Sequence, residues 1–162
     1  MTIDKQAKEH FERMQISSLL IKYFSSIDDK RFDLNIIEST FTSDARIVKP
    51  NGSETIGHNN ILNTNKNSFA RFKATHHVTT DYIIDILRDT ATVRANLTGM
   101  HLWADDEKNP MLSGKNFHAG NVLTANVIKV DNNWRISELI YRNVWRTGEG
   151  MSEMAKFAHP KE

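Results

Sequence analysis

The residues of this chain best suited to chemistry are its histidines. Two of them, His76 and His77, stand side by side in Ala74-Thr-His-His-Val-Thr-Thr-Asp-Tyr-Ile-Ile-Asp-Ile86, a run of β-favouring residues. Imidazole titrates nearest neutrality, with an unperturbed pKa of about 6.5, so at the mouth of a strand it is a ready proton carrier. It needs a partner that fixes one ring nitrogen and leaves the other free. Asp28 is the candidate, in Tyr23-Phe-Ser-Ser-Ile-Asp-Asp-Lys-Arg-Phe-Asp33, where a long apolar-patterned segment runs out into acids. An Asp28–His77 pair in a dry pocket would be an acid–base pair.

Those two segments must be brought together by the elements that carry them. From about Asp4 to Ile27, Ile16, Leu19, Leu20, Tyr23, Phe24 and Ile27 recur at helical spacing, with Lys8, Glu9, Glu12 and Arg13 on the early polar part. An amphipathic helix of this kind needs a sheet to lie against. Asp33 to Thr40 reads as a short second helix with Asp33 as N-cap. Phe41 to Val48 reads as a turn and strand ended by Pro50-Asn-Gly52, and Gly57 to about Phe72 as a third helix. The rest is almost all strand: Thr80–Leu87, Ala91–Trp103, Phe117–Val130 and Trp134–Trp145, separated by Arg88-Asp89, a polar loop and Asp131-Asn132-Asn133.

Helices first and a bent, mainly antiparallel sheet afterwards imply an α+β fold. The expected architecture is a cone-shaped, strongly curved mixed or antiparallel sheet wrapped around the long N-terminal helix. Two shorter helices close a pocket, and Gly99 and Gly120 mark possible bends. One domain is expected over residues 1–148. Residues 149–162 read as a tail, or a short helix at an oligomer edge.

Composition narrows the partners. A net charge of +1, from 21 basic and 20 acidic residues spread along the chain, gives no footprint for nucleic acid. There is no cysteine, hence no disulfide, thiolate nucleophile or thiolate metal site. No stretch approaches the roughly 20 apolar residues of a membrane span, and none has the form of a signal peptide. A cytoplasmic protein is the default expectation. Metal is not expected, since no His-x-x-x-His spacing occurs and His76 and His77 point oppositely on a strand.

The element order, with Tyr-Phe-x-x-Ile-Asp-x-x-x-Phe-Asp, Phe-Thr-x-Asp-Ala, His-His-Val-Thr and Val-Asp-Asn-Asn-Trp-Arg-Ile, resembles the SnoaL-like branch of the nuclear transport factor two-like superfamily over roughly Gln15 to Gly148. Within it the chain is similar to scytalone dehydratase, a bile-acid dehydratase and hexachlorocyclohexane dehydrochlorinase, which eliminate without a cofactor. The resemblance implies catalytic roles for Asp28 and for His77 or His76, with His77 preferred on spacing. It also implies Tyr23 or His118 as donor to the leaving oxygen, and Arg142, in an Arg142-Asn143 pair, as stabiliser of negative charge. The implied substrate is a small apolar ring compound such as a polyketide, steroid or aromatic metabolite, and the implied assembly a homo-oligomer, dimer or trimer.

Strand alternation opposes one part of this. His77 shares parity with Thr79, Asp81 and Asp85, whereas His76 shares it with Val78, Tyr82, Ile84 and Ile86, so only a bulge would turn His77 inward. Asp28 could also be a solvated helix-end acid, Tyr23 a core residue and Arg142 a surface cation. The alternative function is therefore a non-catalytic binding or dimerisation domain. It gains if Asp28 and a His77 ring nitrogen lie more than about 4 Å apart.

Overall fold

The computed structural model describes residues 3–156. The chain opens with α1 (Ile3–Asp28), α2 (Leu34–Thr40), β1 (Phe41–Val48), β2 (Glu54–Ile56) and α3 (His58–Phe69). It continues through β3 (Phe72–Leu87), β4 (Thr90–Trp103), a 3-10 turn at Pro110–Leu112, β5 (Asn116–Val130), β6 (Asn133–Gly148) and α4 (Met151–Lys156). The six strands form one sheet in the order β2-β1-β6-β5-β4-β3. It is mixed, because β1 runs parallel to β6 while the other neighbours are antiparallel. This is the α+β class that the order of elements implies.

The apolar stripe of α1 is the spine of the core. Ile16, Leu20, Tyr23, Phe24 and Ile27 are all buried, against β3 and β6 in particular. Each fully buried side chain of this size contributes about 1.5–3 kcal/mol. The helix stops in a Schellman arrangement: Arg31 N–H donates to Ser26 O (2.8 Å), Lys30 N–H to Ile27 O (3.0 Å), and Lys30 takes the left-handed conformation. Lys30 Nζ then donates to Phe72 O (2.6 Å) and Phe69 O (3.1 Å). The end of α1 is thereby tied to the junction of α3 and β3. Asp33 caps α2 by accepting from Asn35 N–H (2.9 Å).

Two boundaries depart from the sequence reading. The third helix ends at Phe69, and β3 begins at Phe72 rather than near Thr80, so the histidines lie within the strand and not at its mouth. Phe72, expected as the end of the third helix, is a buried strand residue opposite Trp103. The physical reason is that β3 carries two irregularities that break its alternation. Its register against β4 slips between Phe72 and Ala74 and again between Thr80 and Ile83, each time with one extra residue on β3.

The second slip decides which histidine faces in. Asp81 sits there at φ +54°, and its carboxylate accepts from Asn96 Nδ2 (2.8 Å) and Thr80 Oγ1 (2.9 Å). Before it the more buried positions are Thr75, His77 and Thr79; after it they are Tyr82, Ile84 and Ile86. One extra residue moves every following side chain to the other face, so both sets pack inward in the same strand.

If the α1 stripe is this spine, Leu20→Ala (2% exposed) should cost about 2–5 kcal/mol in urea unfolding. Its neighbour Ile21→Ala (47% exposed) should cost under about 0.5 kcal/mol. Equal losses at the two positions would contradict the packing.

Candidate active site

A cavity of about 440 Å³ lies between the inner face of the sheet and the helices α1 and α3. Its walls are Tyr23 and Phe24 from α1, Asn65 and Phe69 from α3, and Leu97, Phe117 and Ala119 from the central strands. That size and mainly apolar lining suit a small organic molecule. α2 contributes no lining residue and packs instead on α1, α3, β1 and β6.

His77 lines this cavity, with a side chain only 5% exposed. Its Nδ1 is 2.6 Å from Asp28 Oδ1, its backbone N–H donates to Asp28 Oδ2 (2.7 Å), and Thr75 Oγ1 donates to Asp28 Oδ1 (2.8 Å). One carboxylate at the last turn of α1 thus accepts three hydrogen bonds from β3. Burial alone would raise the Asp28 pKa, but the His77 ring and backbone bonds, the His77 charge and Thr75 outweigh it and hold the carboxyl below its ordinary value. With Nδ1–H donated to a carboxylate, Nε2 is left as the proton acceptor.

The His77 ring is boxed by Phe24 (5.3 Å between centroids), Phe69 (5.8 Å) and His101 (5.2 Å). Gly99, its cross-strand partner, makes room for this packing. A Cβ there would lie 2.9 Å from His101 Cε1, 3.1 Å from His77 Cδ2 and 3.3 Å from His77 Nε2. No bulge lies at Gly99, since β4 keeps its register on both sides of it, while β5 and β6 do slip between Gly120 and Asn121.

His101 is the functional candidate that sequence reasoning passed over. It is buried, its Nδ1 is 3.2 Å from Phe117 O, and Phe69, Phe72 and Phe117 surround its ring. Burial, followed by the neighbouring His77, lowers its pKa from 6.5 to about 4, so the ring is neutral near pH 7. A signal was present in the parity of Val93, Ala95, Leu97, Gly99, His101 and Trp103, which form one inward face.

Tyr23 also lines the cavity. Its hydroxyl donates to Asn65 Oδ1 (3.2 Å), and burial lifts its pKa to about 12. Tyr141, another lining residue, is hydrogen-bonded to Tyr23 and is likewise raised by burial. Both phenols therefore keep their protons.

Three expected site residues are placed elsewhere. His76 is exposed on the opposite face of β3 from His77, because neighbours on a strand alternate. His118 alternates with the inward Phe117 and Ala119 and does not line the cavity. Arg142 is exposed on the outer face of β6, and its neighbours Tyr141 and Asn143 are the ones that line the site. Among the described residues no three His, Asp or Glu side chains converge to hold a metal ion.

The SnoaL-like domain family matches residues 10–140, most of the chain. The chain belongs to the SnoaL-like family. No protein with a curated description matches the sequence. Among solved structures, this SnoaL-like chain is similar to the Kfla4162 protein of Kribbella flavida, at 19% identity and TM-score 0.79, over 93% of this chain and 98% of that one. It is also similar to a Novosphingobium aromaticivorans protein provisionally named a scytalone dehydratase, at 16% identity and TM-score 0.76, over 90% and 92% of the two chains. A third is the hexachlorocyclohexane dehydrochlorinase LinA-type3 of Novosphingobium barchaimii, at 15% identity and TM-score 0.75, over 90% and 94%. These likenesses show the fold of the SnoaL-like chain; they do not assign its reaction. No helix among the described residues is long and apolar enough to cross a membrane.

Two tests follow from the packing of the imidazoles. Gly99→Ala should displace both rings, shifting their ring-proton NMR signals and costing about 1–3 kcal/mol by overpacking; unchanged signals would mean that the space is not needed. Because the His101 pKa is lower folded than unfolded, the unfolded chain takes the proton more readily. Stability complete above about pH 6.5 should fall by on the order of 3 kcal/mol as pH drops towards 4. Urea unfolding of His101→Gln should lack that slope, and any further acid loss from Asp28 should come below its ordinary value of 3.8.

Proposed function

We propose that this protein is a cofactor-independent lyase or isomerase, a dehydratase, cyclase or double-bond isomerase, acting on a small apolar ring compound. The observation that carries the reading is the 2.6 Å contact between His77 Nδ1 and Asp28 inside an apolar cavity. The carboxylate fixes the tautomer and supports the imidazolium that forms when Nε2 takes a proton. A carboxylate in the last turn of α1 faces the negative end of the helix dipole, an unfavourable place that the three hydrogen bonds from β3 offset.

In the dehydration form of the reaction, His77 Nε2 removes the proton from a carbon next to a carbonyl. The carbon–hydrogen electron pair becomes the new double bond, the neighbouring carbon–oxygen bond breaks, and the oxygen leaves as water. Tyr23, which lines the same cavity and is protonated at neutral pH, is the donor to the departing oxygen, giving up its hydrogen bond to Asn65 Oδ1 to do so. The imidazolium then returns its proton to solvent and Tyr23 regains one from solvent, so that the net change is the loss of one water from the substrate. In isomerisation the same base delivers the proton to a different carbon. Dehydratase and dehydrochlorinase relatives of the same fold support the lyase reading.

Incubation with a panel of hydroxylated ring ketones in deuterated water should reveal deuterium uptake at the carbon beside the carbonyl, with or without loss of water. Asp28→Asn should cut that rate by about 10³–10⁴-fold while the protein stays folded. Full activity in a folded Asp28→Asn variant would reject the pair as the working base.

A further inference from the structure

The proposed reaction leaves one end of the cavity unexplained. Lys49, just after β1, Arg71, just before β3, and Arg146, on β6, all line the cavity that holds His77. They come from three separate elements, and among the described residues no Asp or Glu is part of that lining. Lys49 and Arg71 are partly buried and Arg146 is exposed, whereas Tyr23, Phe24, Ile61 and Leu97 deeper inside are buried. The three cations are therefore the more exposed part of the lining and the apolar side chains the more buried part.

Gathering them there is unfavourable by itself. Burial, then the charge of Arg71, lowers the Lys49 pKa, and burial lowers that of Arg71 to about 10 although Glu153 opposes the shift. Arg71 is oriented by donating through Nε to Ser68 O (3.2 Å) and through Nη1 to Glu153 O (3.4 Å), with its guanidinium 5.8 Å from the centre of the Phe72 ring. Lys49 and Arg71 are close and partly desolvated, and with Glu153 acting on Arg71 the lining cations still outnumber the acid beside them, which favours an anion there.

We propose that the substrate carries an oxyanion end group, seated at the more exposed part of the lining by Lys49, Arg71 and Arg146, with its ring body reaching inward to His77. This rests on the site being the one described above, but not on the reaction assigned to it. A carboxylate and a phosphate ester would satisfy the same cations. The guanidinium groups supply paired donors for either, and Lys49 a point charge.

The test is binding without turnover, by titration calorimetry on the intact protein with 2-naphthoate, 2-naphthyl phosphate and the neutral 2-naphthamide. At least one anion should bind about tenfold or more tightly than the amide at low ionic strength, with the gap narrowing as salt is added. The tighter of the two identifies a carboxylic acid or a phosphorylated substrate. Arg71→Gln, Lys49→Met and the exposed Arg146→Gln should each weaken the anion and leave the amide unchanged. Asp28→Asn should keep the preference, which separates this claim from the catalytic one. Equal binding of all three probes, tighter binding of the amide, or no anion binding at millimolar concentration would overturn the proposal.

Discussion

Everything at the centre of this molecule hangs on the carboxylate of Asp28. Its two oxygens accept from the ring and backbone of His77 and from the hydroxyl of Thr75, so that the end of α1 is bound to the early part of β3. These are charge-assisted bonds in a partly buried place, roughly twice as strong as neutral ones. The same contacts lock the imidazole in one orientation and hold the carboxyl ionised. Structural and chemical duties are not separable here, because the bonds that position the ring also set its tautomer.

The carboxylate can do this because neighbouring devices deliver it. The Schellman turn and Lys30, whose ammonium binds the carbonyls of Phe69 and Phe72, bring the helix end against the strand. From the other side, the extra residue near Asp81 lets His77 and Ile84 face the same interior despite their opposite parity. Gly99 then leaves the space that the two imidazoles share. Those imidazoles differ in partner: Nδ1 of His77 meets a carboxylate, and Nδ1 of His101 a backbone carbonyl amid phenylalanines. A charged form is penalised in the second case, by burial first and then by the neighbouring His77.

Solved structures that share under a fifth of this chain's residues share its fold over about nine-tenths of its length. A shared fold leaves open the lining of the hollow between helices and sheet, where a few side chains such as Asn143 and Arg146 can change the chemistry. Family membership and reaction are for that reason separate conclusions.

The sequence by itself determined the elements whose patterns are local. The α1 stripe, the Asp33 cap and the long strands were legible because helical and two-residue periodicities, together with turn residues, depend on near neighbours. Asp28 and His77 were legible as chemical types. Which face each histidine took was not, because one inserted residue reverses alternation and local composition does not announce it. His118 and Arg142 were drawn into the expected site by likeness and left out of it by parity; His76, which simple alternation favoured, was turned outward by the extra residue near Asp81, while His101 lies on the inward face of β4. The tertiary structure alone decided those placements, since a cavity is made by contacts between residues far apart in the chain, and burial, hydrogen-bond partners and pKa shifts exist only once those contacts form.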